Sequence, residues 1–157
     1  MPQDLHIHVS LEGQSLQLSS GGNLLESYPI STSRFGPGFE EGSFKTPIGA
    51  FQVCEKFGDD APVHTIFRAR HPVGLWDPAQ RCDDDLVLTR ILRLEGLDPA
   101  NLNTYDRYIY IHGTNHEELL GTPASQGCIR MSNPDVIDLY AKTPLGTPVT
   151  ISQSSPP

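Results

Sequence analysis

Apolar and polar residues alternate from the start of the chain: His6, His8 and Ser10 separate Leu5, Ile7, Val9 and Leu11. Leu16 and Leu18 resume the pattern after Glu12-Gly13-Gln14. A period of two interrupted by a glycine turn predicts a β-hairpin, with His6 and His8 on its solvent side. Leu24 to Thr32 reads as a third strand, and Pro29, which cannot donate to a ladder, predicts an edge or bulge position there. Ser33 to Lys45 carries Gly36, Pro37, Gly38 and Gly42 and reads as a flexible loop. It lacks the Gly-Lys-Ser/Thr ending of a phosphate loop. Thr46 and Pro47 then lead into a strand over Ile48 to Phe57.

Residues 58 to 85 show no regular period and read as an irregular, acidic loop. Long loops in compact domains are commonly functional, so this one, with Trp76 as a stacking residue, is expected to border a substrate groove. Leu86 to Leu94 reads as a core strand whose Arg90 and Arg93 pair with Asp83 to Asp85 or with substrate carboxylates, the former being favoured. Asp98 to Asn101 is a turn. Arg107 to Ile111 alternates again and ends at His112, which places Tyr108, Tyr110 and His112 on one face. The only clear helical pattern follows residue 132: Asn133 as N-cap, Pro134 at the first helical position, Val136, Leu139 and Tyr140 on one face, and an end near Lys142. Val149 and Ile151 form a last short strand. The pattern as a whole predicts a mainly β fold, a sandwich or partly closed barrel with one main helix. It forms a single domain over residues 1–152, with 153–157 as a disordered tail.

Composition narrows the function. The chain has 157 residues, 37% of them hydrophobic, with 14 glycines and 14 prolines, which suits one turn-rich domain. A net charge of −8 argues against a nucleic-acid partner. No apolar run approaches the roughly 20 residues of a membrane span. Met1-Pro2-Gln3-Asp4 lacks the basic start and apolar core of a signal peptide, so a cytoplasmic location is expected, or a periplasmic one if an export signal has been removed. Three cysteines, Cys54, Cys82 and Cys128, read as reduced thiols. His6 with His8, or His64, His71 and Cys82 with the aspartates, match no metal-ligand spacing, and neither a metal nor a cofactor is expected.

Cys128 stands apart because Gly127 precedes it. A glycine lets the backbone turn sharply, so the Gly127 and Cys128 amides can face a reacting carbonyl oxygen as an oxyanion hole. A histidine within hydrogen-bond reach, His112, would lower the thiol pKa and shuttle the proton, and the two together suffice for acyl transfer. A buried structural cysteine and a strand-end histidine are the plainer alternative. Cys54 lacks both the glycine turn and a histidine neighbour and reads as structural.

His112-Gly113-Thr114-Asn115 followed by Ser125-Gln126-Gly127-Cys128-Ile129-Arg130-Met131 resembles the YkuD-type L,D-transpeptidases, bacterial cysteine enzymes acting on peptidoglycan stem peptides. The likeness extends to Tyr28-Pro29-Ile30-Ser31-Thr32, Thr46 to Phe51 and Gly146 to Ile151. Many members carry histidine where this chain has Gln126. The resemblance implies ping-pong acyl transfer, with Cys128 attacking the carbonyl before a terminal D-amino acid, His112 managing protons and the Gly113 carbonyl orienting the imidazole. Arg130 reads as a clamp for a substrate carboxylate or as a structural ion pair, and Tyr108, Tyr110, Thr114 and Ser125 complete the expected substrate-binding set. Expected partners are peptidoglycan stem peptides or soluble muropeptides, and free D-amino acids. A cytoplasmic setting favours L,D-carboxypeptidase action on recycled muropeptides, with D-amino-acid exchange. Cross-linking of the wall by an exported enzyme, a muropeptide-binding module without turnover, and a redox-sensing thiol are the alternatives.

Overall fold

The structure is a computed structural model and describes residues 4–154. Ten strands form one sheet: β1 (Leu5–Ser10), β2 (Ser15–Ser20), β3 (Asn23–Ser31), β4 (Gly49–Phe57), β5 (Thr65–Arg68), β6 (His71–Leu75), β7 (Val87–Gly96), β8 (Tyr110–Gly113), β9 (Ile129–Met131) and β10 (Pro148–Ser152). Their order is β4-β10-β1-β2-β3-β9-β8-β7-β5-β6, and a further pairing of β4 with β7 closes the first eight into a barrel. Closure removes the exposed edges that an open sheet would leave. One edge of β7 serves two partners: its start pairs with β5, and Ile91 to Gly96 pair with β4. The β5–β6 hairpin therefore hangs outside the barrel.

The alternating runs fill the interior as their period requires. Leu5, Ile7, Val9, Leu16, Leu18, Ile30, Phe51, Val53, Leu92, Leu94, Ile111, Ile129, Val149 and Ile151 form one core. The outward residues of β1 are anchored, not free in solvent, because His6 and His8 Nε2 each meet a hydroxyl of β10, Thr150 and Ser152, at 2.8 Å. Pro29 is exposed on β3 and precedes the two residues, Ile30 and Ser31, that pair with β9. Among the described residues no three histidines, cysteines or carboxylates gather as a metal site, and no helix is long and apolar enough to cross a membrane.

The one α-helix, α1 (Asn133–Lys142), buries Val136, Leu139 and Tyr140 into the core. Its N-cap is Ser132, not Asn133: the Ser132 hydroxyl accepts from Asp135 N at 3.1 Å. Asn133 is thereby released for other bonds.

Other expectations fail for identifiable reasons. The segment 58–85 is not irregular throughout, since it contains β5 and β6, joined through Ala69 and Arg70 at φ 49° and 67°. A two-residue turn with both residues left-handed normally advertises itself by Asn-Gly or Gly-Gly, and here it does not. Arg90 and Arg93 do not reach Asp83 to Asp85. Arg90 donates to the Ala61 and Thr89 carbonyls, and Arg93 pairs with Glu55 at 3.0 Å while lying over the Tyr105 ring. Trp76 packs edge-on to His64 and does not line the cleft described below. The Ser33 to Lys45 loop is tied down at Pro37 and Thr46, which bridge, and by Arg107, which donates to Gly38 O and Lys45 O. In the expected tail, Gln153 O accepts from Glu12 N at 2.8 Å, while 155–157 lie outside the described residues.

Candidate active site

Two parallel strands carry the site. β8 and β9 pair with Ile111 opposite Ile129 and His112 opposite Arg130, so Cys128, just before β9, comes beside Tyr110. Alternation then puts Tyr110, His112, Cys128 and Arg130 on one face, while Ile111 and Ile129 enter the barrel core.

The turn that presents the cysteine is held from several sides. Gly127 adopts φ 122°, a region that favours glycine, and its carbonyl accepts from Thr46 Oγ1 at 3.0 Å. Ser125 N donates to Thr32 O, and Arg34 N donates to Ser125 O. The buried Ser125 hydroxyl donates to Cys128 O at 2.7 Å and accepts from Gly127 N at 3.3 Å. Ser125 is therefore turned inward and braces the cysteine turn. The resting Gly127 amide is also already engaged. Thr114 is likewise turned inward: its hydroxyl accepts from His116 N and its carbonyl from Asn133.

His112 is 1% exposed, and its Nδ1 lies 2.6 Å from Gly113 O. A carbonyl can only accept, so Nδ1 carries the proton and Nε2 is left as the basic nitrogen. Burial lowers the His112 pKa; Asp85 and the Gly113 carbonyl oppose that shift and Arg130 adds to it. Gly113 has no room for a side chain, since a Cβ there would stand 2.5 Å from Asn133 Oδ1 and 2.8 Å from Leu88 O.

The sulphur of Cys128 does not bond to His112. It accepts from Tyr110 N at 3.4 Å and donates to Tyr108 O at 3.4 Å. Burial pushes the thiol pKa up to about 11; the Tyr110 N–H contact opposes this, Asp85 adds to it, and Arg130 and Arg107 also oppose it. Burial thus favours the uncharged form of both groups.

The alternation predicts Tyr108 within the strand, but β8 begins at Tyr110; Tyr108 precedes it at φ 57° and is 54% exposed, its carbonyl facing the thiol. Tyr110 is buried, its hydroxyl accepting from Arg70 at 3.0 Å. A cleft of about 410 Å³ opens onto Cys128 and is lined among others by Glu41, Phe44, Asp85, Asp106, Tyr108 and Gln126. Arg130, 4% exposed, pairs with Asp85 at 3.0 Å, and so takes the structural alternative of its two readings in this state.

Asp85 and Asn133 are site residues that the sequence pattern does not single out. Asp85 lies in the loop before β7, which Asn115 staples down by accepting from Leu86 N and donating to Cys82 O and Asp84 O. Asn133, 0% exposed, accepts from Thr89 Oγ1 and donates to Thr114 O and Glu117 Oε2. Only the helix-cap signal pointed to Asn133, and it pointed to another role.

A model of the YkuD family, described as the L,D-transpeptidase catalytic domain, matches residues 4–151. YkuD of Bacillus subtilis is 29% identical over 148 residues, 94% of this chain and 66% of that protein. YkuD of Bacillus licheniformis is 27% identical over 93% of this chain and 64% of that one. The chain thus spans slightly under two thirds of these relatives. An L,D-transpeptidase structure from Mycobacterium smegmatis shares the fold with a TM-score of 0.62 at 17% identity, covering 95% of this chain and 58% of that one. One from Xylanimonas cellulosilytica gives 0.62 at 19% identity, covering 97% and 62%. With nearly its whole length matched and its barrel shared, the chain belongs to the YkuD family of L,D-transpeptidase catalytic domains.

Proposed function

We propose that the domain catalyses cysteine-dependent acyl transfer on the L,D-peptide bond of peptidoglycan tetrapeptide stems. The observation that carries this reading is His112, its Nδ1 proton committed to Gly113 O and its Nε2 left basic on the face that Cys128 shares. The thiol rotates from Tyr108 O toward Nε2, which takes its proton. The sulphur then attacks the carbonyl carbon, and the oxyanion accepts from Cys128 N and from Gly127 N as the latter leaves Ser125 Oγ. Collapse expels the amine of terminal D-alanine, which takes the proton from His112 and leaves a thioester. Water, a free D-amino acid or the amine of a second stem then attacks that thioester, with His112 as base.

Within this reading water is the main acceptor, so the domain acts chiefly as an L,D-carboxypeptidase on soluble cytoplasmic muropeptides, with D-amino-acid exchange beside it. The cleft that opens onto Cys128, itself a half-buried residue, supports access for water. The test is incubation with a soluble tetrapeptide muropeptide, with and without D-amino acid, and product identification by mass. Tripeptide, plus exchange product when D-amino acid is added, is expected. Cross-linked dimers as the main product would make the domain a wall-building transpeptidase.

One observation favours a muropeptide-binding domain without turnover: the Gly127 amide is occupied by Ser125 in the resting site. Gln126, exposed on the cleft where many family members carry histidine, separates the two readings. Glutamine does not titrate, so Gln126→His is expected to leave kcat/KM within about tenfold, roughly 1.4 kcal/mol in transition-state free energy. A far larger gain would mark Gln126 as a defect and support the binding domain.

A further inference from the structure

Arg130 is buried within the sheet face that carries Cys128 and His112, and the geometry of its guanidinium is unusual. Nη2 pairs with Asp85 at 3.0 Å, while Nε and Nη1 are buried without a partner among the described residues. A buried cation held by a single carboxylate is strongly dependent on that carboxylate. The loop that carries Asp85 is held against the end of β8 by Asn115, which donates to the Cys82 and Asp84 carbonyls, and by the His116 ring, which bonds to the Asp84 carbonyl. Asp85 also lines the cleft, with its side chain 27% exposed, so the ion pair runs from the cleft wall to the interior.

We propose that Asp85 is a positioning residue of this site: it holds and neutralises the Arg130 guanidinium beside Cys128 and His112, and so governs how readily the thiol ionises. The charged and titratable groups around the sulphur come from every neighbouring element. Arg130 lies on β9, His112 and Tyr110 on β8, Arg107 and Asp106 in the segment before β8, Glu41 in the loop before β4, and Asp85 before β7. Arg107 is fixed by the Gly38 and Lys45 carbonyls, and Glu41 and Asp106 stand on the cleft wall, so among the described residues Asp85 is the carboxylate that pairs with Arg130. Removing its charge leaves a net cation beside the sulphur, which favours thiolate and disfavours imidazolium. The role bears on catalysis through the reading of Cys128 as nucleophile, but it concerns the thiol itself and is tested without substrate.

The experiment is the pH dependence of Cys128 alkylation by iodoacetamide in the full chain, with Cys54→Ala and Cys82→Ala in place so that one thiol reacts. Asp85→Asn is expected to move the midpoint to lower pH by about one unit or more, raising the neutral-pH rate up to about tenfold. Asp85→Glu, and the double variant Asp85→Asn with Arg130→Gln, which removes both charges, should stay close to the parent. An unchanged midpoint in folded Asp85→Asn, or a double variant shifted as far as the single one, overturns the proposal. If Asp85→Asn does not fold, Arg130→Gln supplies the test: it leaves Asp85 uncompensated, so the midpoint must move to higher pH, and no movement overturns the proposal.

Discussion

Cys128→Ala is expected to reduce release of terminal D-alanine from a tetrapeptide stem by at least about 10³-fold, because the acyl group then has no sulphur to receive it. Cys54→Ala and Cys82→Ala should retain activity within about threefold, the scatter expected of substitutions outside the reacting centre. The Cys54 thiol donates to Arg93 O at 3.5 Å and, like Cys128, has its pKa pushed up to about 11 by burial, but it has neither the glycine turn nor the histidine on a shared strand face that serve Cys128, so nothing is placed to take its proton. Cys82 contributes its backbone carbonyl to Asn115, a bond that alanine keeps. His112→Ala should cost nearly as much as Cys128→Ala, and the double variant should be little worse than either, since base and nucleophile act as one unit. Measured D-alanine release that falls multiplicatively in the double variant would mean that the two residues act separately. Activity lost with Cys54 alone would move the nucleophile elsewhere.

Asn133→Leu is expected to destabilise the domain by about 3–5 kcal/mol, the range for breaking a buried polar network with a charged member. The carboxamide is the hub of that network. Its loss strands the Thr89 hydroxyl, the Thr114 carbonyl and part of the Glu117 carboxylate, which also accepts from Asn133 N at 2.7 Å. Leucine keeps the branched outline with somewhat more bulk and replaces none of these bonds. Urea unfolding read at two wavelengths checks it, with the midpoint falling and the slope unchanged. A loss below about 1 kcal/mol would mean that the network contributes no more than one ordinary hydrogen bond. The variant should also loosen His112, because the Asn133 side chain packs against the place where a Gly113 side chain would stand.

Where period and packing coincide, the chain is legible. β1 and β2 follow from alternation and the buried face of α1 from the helical spacing of Val136, Leu139 and Tyr140, because one face of each meets the barrel core, while β7, buried on both faces, follows from its apolar run. The β5–β6 hairpin is hidden because Ala69 and Arg70 turn without a glycine, and β6 is exposed along its length and so carries no hydrophobic alternation. The Cys128 turn and the His112 strand could be read from Gly127 and from alternation. The orientation of their neighbours could not, since Ser125 and Thr114 are short hydroxyl side chains that close local turns inward. Tyr108 departs from its expected face because a left-handed backbone precedes the strand. Asp85 meets Arg130 across 45 residues of chain, and no local pattern encodes a contact of that span.

The position of β10 bears on how the domain is made. Pro148–Ser152 lies between β1, which it joins in parallel, and β4, which it joins antiparallel. On the ribosome β1 must therefore wait until β10 has been made before its outer edge is paired. Until then β1 and β4 present open ladders to one another and to other nascent chains, and pairings of such large sequence separation form slowly. Barrel closure is thus a late step that follows release of the domain from the exit tunnel. Ribosome-bound chains halted just before Pro148 should be cut readily by protease, whereas chains extended so that Ser152 clears the tunnel should resist it.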